Sequence, residues 1–294
     1  MFEELTIFNM SVPIEGISFY LVEEKTFLIA SLHQLNVLSS AVLGGERRRV
    51  RFIFNHTVEN NYSSDTPVQD LDCLAEKMKL GKEVLGLMTA VDVRRTVMSF
   101  GTRQDLAVAT ICTAGVSNAC SAGSLVATRE SIAVPGTINI VVLVDGNLTE
   151  AAMVNAVITA TEAKTMAVFQ AGIRLPDGAM ATGTTTDAIV IACTGRGEPL
   201  MYAGAATGLG FLVGRTVYKA VAQGISDYFT AAGREKLRKP AGGLLNLTGH
   251  PGPDARLSGK MRLCVTPEFK FTRRFYSGVI CFSEGICAGL YRKL

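Results

Sequence analysis

Four short clusters of small polar residues stand at the ends of apolar runs, where their side chains could take part in chemistry. The clusters read FNHTVEN, TAGVSNA, GTINI and ATGTTTDA. Small polar side chains at strand ends can line a crevice, and glycines let backbone N–H groups approach a ligand. Turns use the same residue types for their own hydrogen bonds, so a single cluster would indicate little. Together, the four clusters predict one pocket with neutral, hydrogen-bonding walls.

Two charged residues in the helical segment after GTINI extend this predicted pocket. Glu162 shares a helix face with Asn155 and Thr159, whereas Lys164 lies about 200° further around the axis. The polar stripe that includes Glu162 is either part of the site or a solvent-exposed face. Lys164 either extends outward from the core face or supplies a buried cation to an anion such as Asp187.

His56 is the only one of the three histidines that lies in a dense polar cluster. Its position beside Asn55 at a strand end makes it a candidate proton shuttle. A lone histidine is also commonly a hydrogen-bonded structural residue, and both interpretations stay open.

Composition excludes several classes of protein. Of the 294 residues, 48% are apolar and 19% are charged, and the net charge is +3. These values predict a compact globular chain and do not favour nucleic-acid binding. The basic cluster from Glu46 to Arg51 is most simply a solvated edge. No apolar run reaches the ~18 residues of a membrane helix, and the acidic start lacks the basic region of a signal peptide. We therefore expect a soluble cytoplasmic protein without a membrane partner.

The seven cysteines are scattered and form no C-x-x-C pair. This spacing predicts neither a disulfide framework nor a zinc site. The histidines are too few and too dispersed for a histidine-rich metal centre. We expect a reduced protein without a catalytic metal.

The elements that must position the clusters change in character along the chain. The first hundred residues read mostly as short strands, interrupted by one helix for which Asp70 is a plausible N-cap. The second half begins with a continuous apolar strand and a long helix, with Asn147 as its predicted N-cap and Gly172 as its end. A second apolar strand and a second long helix follow. Strand–helix–strand predicts a parallel pair with a right-handed crossover.

The predicted fold class is therefore α/β or α+β. We expect a layered mixed sheet with a strand-rich N-terminal half and a C-terminal strand–helix–strand–helix unit. A single catalytic domain is expected over residues 1–228. Residues 229–294 are turn-rich and weakly periodic, and we expect them to form a C-terminal extension without an assigned function.

These clusters, in this order, resemble the adenosylcobinamide amidohydrolase family of corrinoid salvage. The resemblance covers residues from about 30 to about 226. The segments that carry it are LNVLSSAVLGG, FNHTV, GLMTAV, TAGVSNA, GTINIVVLVDGNLTEAAMVNAVITATEAKT and ATGTTTDAIVIA. The long run from Gly136 to Thr165 is far more specific than the short motifs.

The resemblance implies hydrolysis of the amide that joins aminopropanol to a propionate side chain of adenosylcobinamide. The products would be adenosylcobyric acid and 1-aminopropan-2-ol, for use in cobalamin biosynthesis. The partner is then a small-molecule corrinoid, and its cobalt belongs to the substrate, so no separate cofactor is expected. The oligomeric state stays open, a homo-oligomer included.

Amide hydrolysis needs a nucleophile, a proton shuttle and donors for the oxyanion. Our hypothesis assigns the shuttle to His56 or Glu162, and the oxyanion donors to Asn118 and to backbone N–H groups around Gly115 and Gly183. The nucleophile is Ser117, a threonine of TGTTT or an activated water. The catalytic candidates are His56, Ser117, Asn118, Glu162, Lys164, Thr184 and Asp187. The substrate-binding candidates are Asn55, Thr113, Gly115, Thr137, Asn139, Thr182, Gly183 and Thr186.

Two other functions remain as alternatives. A corrinoid carrier without chemistry would bind the same ligand, although the cobalt-ligating pattern D-x-H-x-x-G is absent from the sequence. A phosphate-binding transferase is suggested by GTTTD, although no Walker lysine follows the glycines.

Overall fold

One large mixed sheet dominates the computed structural model, which describes residues 5–7, 12–124 and 136–231. Nine strands of these residues belong to it: β1 Leu5–Ile7, β2 Ile17–Val22, β3 Thr26–Ser39, β4 Arg49–Thr57, β5 Val84–Thr89, β6 Val97–Arg103, β7 Leu106–Ala114, β9 Ile138–Asp145 and β12 Ala188–Cys193. Two small pairs are formed by β8 Ala119–Cys120 with β11 Gly183–Thr184, and by β10 Asn147–Leu148 with β13 Pro199–Leu200. The order in the large sheet is β1-β2-β3-β12-β9-β7-β6, and β4 pairs with both β3 and β5.

Three α-helices and one 3₁₀ turn lie among the described residues: α1 Pro67–Lys77, the turn Val93–Arg95, α2 Glu150–Gln170 and α3 Gly208–Ala231. None of these helices combines the length and the apolarity needed to span a membrane. α3 continues past residue 228, where we expected the catalytic domain to end. Residues 232–294, most of the expected extension, lie outside the described residues, as do residues 125–135.

β9 and β12 are parallel neighbours, and α2 connects them along the chain. Their pairing runs from Asn139 opposite Ala188 to Val144 opposite Cys193. Every residue of β9 except Asp145 is buried, because helices cover one face of the strand and other strands cover the opposite face. The predicted parallel pair and the α/β class with a mixed, layered sheet are confirmed.

The sheet folds over on itself, so that β4 and β5 face β7 and β9. β4 and β7 are not paired, yet the side-chain amide of Asn55 in β4 donates to Thr113 Oγ1 in β7 over 2.9 Å. Apolar side chains fill the space between the two parts of the sheet, among them Phe27, Ile53, Leu87, Ile111 and Val141. Their removal from water stabilises the folded-over arrangement.

Helices cover the two outer faces of the folded sheet. α2 and α3 pack against the face of β7, β9 and β12 that carries Cys112, Val142 and Ile191. α1 packs against the outer face of β4 and β5 through Leu71 and Ala75. The order of layers is therefore a helix pair, two sheet layers and a single helix.

Both predicted helix caps were wrong, although both helices exist. The N-cap of α2 is Thr149, whose Oγ1 accepts the backbone N–H of Ala152 over 3.2 Å. Asn147 cannot start this helix because it pairs in β10 with β13. α1 follows Thr66 with a proline at its first turn, and Asp70 lies inside that turn, where the helix dipole favours an acidic residue. The predicted end of α2 is confirmed, since Gly172 has a φ of 70° just after the C-cap.

The capping role of Thr149 can be tested against the predicted cap. Thr149→Ala removes the hydroxyl that accepts the Ala152 N–H, so we expect the free energy of unfolding to fall by about 1 kcal/mol. Asn147→Ala is the matched control, and we expect it to change this value by less than about 0.5 kcal/mol. Urea unfolding followed by circular dichroism measures both. A larger loss for Asn147→Ala than for Thr149→Ala would contradict the assignment.

Candidate active site

Three of the four polar clusters, TAGVSNA, GTINI and ATGTTTDA, meet at one edge of the sheet. β7 runs antiparallel to β9, and β9 runs parallel to β12, so the carboxyl end of β7 lies beside the amino ends of β9 and β12. The pairing of β8 with β11 places Ala119 opposite Thr184 and brings the TAGVSNA and TGTTT segments to the same edge. The convergence that the sequence predicted for these segments is therefore present in the structure.

The carboxylate of Asp187 is the centre of a buried charged cluster at this edge. Its Oδ2 accepts from Lys164 Nζ over 2.5 Å, and its Oδ1 accepts from the Thr184 hydroxyl. The backbone N–H groups of Ile138 and Thr184 donate to it over 3.2 Å each. Lys164 is 8% exposed and Thr184 is 7% exposed. Of the two positions considered for Lys164, the structure shows the buried cation paired with Asp187. Lys164, Thr184 and Asp187 are called the Asp187 cluster below.

Gly183 allows the members of this cluster to approach one another. A Cβ atom at Gly183 would clash with the Asp187 carboxylate and would lie 2.5 Å from Lys164 Nζ. Any side chain at this position would therefore push the ammonium and the carboxylate apart. A glycine at this position of ATGTTTDA therefore lets the Lys164 ammonium and the Asp187 carboxylate approach each other.

Asn118 lies next to the Asp187 cluster. Its Nδ2 donates to Thr185 Oγ1 over 2.7 Å, and the whole residue is 6% exposed. A Cβ at Gly136 would clash with Asn118 Oδ1 and would lie 2.8 Å from Ser117 Oγ. Ser117 and Asn118 therefore pack over a glycine at the start of the segment that leads into β9.

Several predicted substrate-binding residues hold the backbone around the cluster. Thr137 Oγ1 donates to the Thr186 carbonyl over 2.8 Å, and Thr186 Oγ1 donates to the Gly136 carbonyl over 3.0 Å. The N–H of Gly115 donates to the Thr137 carbonyl over 2.9 Å. Thr182 Oγ1 accepts a backbone N–H over 2.8 Å beside the β8–β11 pair. These hydrogen bonds fix the strand ends that carry the charged residues.

Asn55, Thr113 and Asn139 form a second polar group inside the folded sheet, and it adjoins the first where Thr137 Oγ1 lies 3.2 Å from its acceptor, Asn139 Oδ1. Asn55 donates to Thr113 Oγ1 over 2.9 Å and accepts from Asn139 Nδ2 over 3.0 Å. Asn139 Nδ2 also donates to the Met88 carbonyl over 2.7 Å. The adjoining cavity of about 10 Å³ has room for about one water, so it cannot admit a corrin ring. These residues connect the two parts of the sheet.

The structure does not bring His56 to the Asp187 cluster. Successive strand residues point to opposite faces, so Asn55 faces the sheet interior and His56 shares the outer face with Phe54. Phe54 belongs to the apolar group that packs with α1. His56 Nδ1 hydrogen-bonds with Thr26 Oγ1 over 2.8 Å. Burial lowers the pKa of His56 from its usual 6.5, and the nearby Lys25 ammonium lowers it further. These contacts favour the structural interpretation of His56, and its role as a proton shuttle stays a prediction.

Glu162 also lies away from the Asp187 cluster. It is exposed on α2, whereas Lys164 two residues later is buried, in agreement with the predicted rotation around the helix. Thr159, expected on the same stripe as Glu162, is 4% exposed and donates to the Ala203 carbonyl over 2.9 Å. The stripe is therefore not a continuous polar surface, and the exposed-face interpretation applies to Glu162.

Two groups that the sequence analysis did not single out help to build the site. Thr185 accepts from Asn118, and the backbone N–H of Ile138 donates to Asp187. Thr185 was visible in TGTTT, but its role depends on the β8–β11 pairing. The Ile138 N–H belongs to the backbone, so the type of residue at this position could not have indicated its role.

The environment of His56 predicts a pH effect on stability. Because burial favours the neutral imidazole in the folded state, the unfolded chain takes up a proton first as the pH falls below about 6.5. The stabilisation is therefore present above this pH and is lost as the pH falls through the lowered pKa. We expect the free energy of unfolding of His56→Gln to fall less between pH 7.5 and pH 5 than that of the wild type. Urea titrations at each pH measure it, and identical pH dependence in both proteins would refute this account.

Comparison with known proteins identifies the family. The family model described as adenosylcobinamide amidohydrolase matches residues 11–232. The chain is 31% identical over 215 residues to the adenosylcobinamide amidohydrolase of Methanosarcina mazei, which covers 70% of this chain and 96% of that protein. It is 38% identical over 120 residues to the adenosylcobinamide amidohydrolase of Halobacterium salinarum, which covers 39% of this chain and 48% of that protein.

The matched region contains eight of the nine strands of the large sheet, the α-helices of the described residues and the whole Asp187 cluster, whereas β1 lies before it. The chain therefore belongs to the adenosylcobinamide amidohydrolase family and is a hydrolase that acts on an amide bond.

Proposed function

We propose that this chain cleaves the amide between the aminopropanol arm and a propionate side chain of adenosylcobinamide. The products would be adenosylcobyric acid and 1-aminopropan-2-ol, and the reaction would serve the salvage of cobinamide for cobalamin biosynthesis. Family membership supports the choice of substrate. The observation that carries the choice of site is the buried contact of a hydroxyl, a carboxylate and an ammonium in the Asp187 cluster. In this proposal, the only metal is the cobalt that arrives with the substrate.

The Asp187 cluster has the arrangement of an activated nucleophile. Thr184 supplies the hydroxyl, Asp187 is the base within hydrogen-bond reach, and Lys164 orients the base. Thr184 Oγ1 attacks the amide carbon while its proton passes to Asp187, and that proton is then delivered to the nitrogen as the C–N bond breaks. Water subsequently hydrolyses the ester on Thr184. One amide and one water thus give one acid and one amine.

A thiol nucleophile is a weaker candidate in this neighbourhood. Cys120 lies in β8, close enough to feel the charges of Asp187 and Lys164. Burial raises the pKa of the Cys120 thiol, and the carboxylate of Asp187 raises it further. The thiol therefore stays protonated near neutral pH, where only the thiolate is an effective nucleophile. The threonine in contact with a base is the better choice.

The size of the interior cavity constrains where the ring binds in this proposal. The cavity beside Asn55 and Asn139 holds about one water, so the corrin ring stays outside the folded sheet. Only the aminopropanol arm and its amide need to reach the Asp187 cluster. The half-buried strand β8 and the exposed residues 122–124 that follow it would then face the ring.

The nucleophile is tested by removing the Thr184 hydroxyl without changing the shape of the side chain. We expect Thr184→Val to abolish turnover and Thr184→Ser to retain part of it. Asp187→Asn removes the base, so its kcat should fall by about 100- to 10,000-fold. Mass spectrometry of released aminopropanol measures each rate.

The matched control is Thr161→Val, because Thr161 is an exposed threonine of α2 whose hydroxyl donates to the Val157 carbonyl of the same helix over 2.8 Å. Its kcat should equal that of the wild type. Full activity of Thr184→Val would exclude Thr184 as the nucleophile. Intact corrinoid recovered from the wild-type protein, with no aminopropanol released, would favour the carrier function instead.

A further inference from the structure

One buried polar atom next to the Asp187 cluster has no partner. Among the described residues, Asn118 Oδ1 is the buried side-chain oxygen or nitrogen without a hydrogen bond. The nitrogen of the same amide has a partner, since one of its two N–H groups donates to Thr185 Oγ1 over 2.7 Å. A buried carbonyl oxygen without a donor is unfavourable, so such an atom in a site indicates a ligand that brings the donor.

The backbone places this oxygen close to the reacting groups. β8 pairs with β11 so that Ala119 lies opposite Thr184, and Asn118 and Thr185 are the next residues on each side. The chain near Gly136 contacts both parts of the site: Asn118 Oδ1 lies over Gly136, and the N–H of Ile138, two residues further on, donates to Asp187. The unpartnered oxygen of Asn118 and the carboxylate of Asp187 therefore both contact the short segment from Gly136 to Ile138.

Gly136 makes room for the Asn118 side chain. A Cβ there would clash with Asn118 Oδ1, so a glycine is required for the side chain to take this position. The amide plane is held from the other side by the hydrogen bond to Thr185. The Asn118 amide is thus held between Gly136 and Thr185, and its acceptor oxygen has no hydrogen-bond donor.

We propose that Asn118 Oδ1 accepts the N–H of the scissile amide, so that Asn118 positions the leaving nitrogen and selects amides over esters. This inference rests on the proposed function. It differs from the oxyanion-donor role expected from the sequence, because the atom of Asn118 that lacks a partner is the acceptor oxygen, whereas the nitrogen already donates one N–H to Thr185. The N–H stays bonded to Oδ1 while Thr184 attacks, the nitrogen receives its second proton from Asp187, and Asn118 itself neither gains nor loses a proton.

The test compares two substrates with two proteins. One substrate is adenosylcobinamide, and the other is its ester analogue, in which the scissile N–H is replaced by oxygen. Asn118→Ala should lower kcat/KM for the amide by about 10- to 100-fold, because an N–H is left without its acceptor. It should lower kcat/KM for the ester by less than about 3-fold, since the ester has no N–H to lose. Any general damage to the site affects both substrates equally and cancels in the ratio.

A second variant, Asn118→Asp, shows whether Asn118 acts through its acceptor oxygen or through its N–H donors. Asn118→Asp keeps an oxygen that can accept the N–H, and the Thr185 hydroxyl can donate to its other oxygen. We expect Asn118→Asp to keep the wild-type ratio of amide to ester activity, with thermal unfolding as the check that each variant is folded. If Asn118 instead stabilised the oxyanion, Asn118→Asp would be the more damaging of the two variants. It would lower kcat/KM for the amide and the ester alike.

Equal losses for amide and ester in Asn118→Ala would overturn the inference while leaving the proposed function intact. A wild-type protein that cleaves neither substrate would overturn the proposed function, and the inference about Asn118 with it.

Discussion

A carboxylate buried in a protein has to be matched by a positive charge and by hydrogen bonds to its remaining lone pairs. Asp187 meets this requirement with donors from three parts of the chain: the ammonium of Lys164 in α2, the N–H of Ile138 in β9, and the hydroxyl and N–H of Thr184. Loss of one donor would leave charge uncompensated in a site from which water is largely excluded. The position of α2 on the sheet, the short β8–β11 pair and the glycine at residue 183 all serve this one arrangement.

The folded-over sheet explains how so polar an edge can exist in so apolar a chain. The interior between the two parts of the sheet supplies one core, and the two helical layers supply the others. The Asn55–Asn139 amide pair lies inside that interior and connects the two parts with each amide bonded. The polar side chains at this edge and in the interior thus form two groups, which meet at the hydrogen bond between Thr137 and Asn139. One group holds the sheet together, and the other surrounds Asp187.

Local patterns in the sequence predicted the main strands and helices and the contact of Lys164 with Asp187. They did not predict the geometry that depends on distant parts of the chain. The apolar runs and helix periodicity were sufficient for β9, α2 and β12, and the rotation between residues 162 and 164 allowed a buried Lys164 to be considered beside Asp187. The cap of α2 was misplaced because β10 takes up Asn147 through a pairing with residues some fifty positions away. His56 was grouped with the site because it follows Asn55 directly in the sequence. Neighbouring residues of a strand point to opposite faces of the sheet, which places the two side chains apart. The unpartnered oxygen of Asn118 depends on the β8–β11 pairing, which is two residues long and has no periodicity to detect.

The most direct measurement of the central claim is a rapid chemical quench of the wild-type protein with the ester analogue, followed by peptide mass spectrometry. An ester has a better leaving group than an amide, so the covalent intermediate should form faster than water removes it. The account predicts a corrinoid acyl group attached to the peptide that contains Thr184. Turnover of the ester with that peptide unmodified, or with the acyl group on another residue, would contradict it.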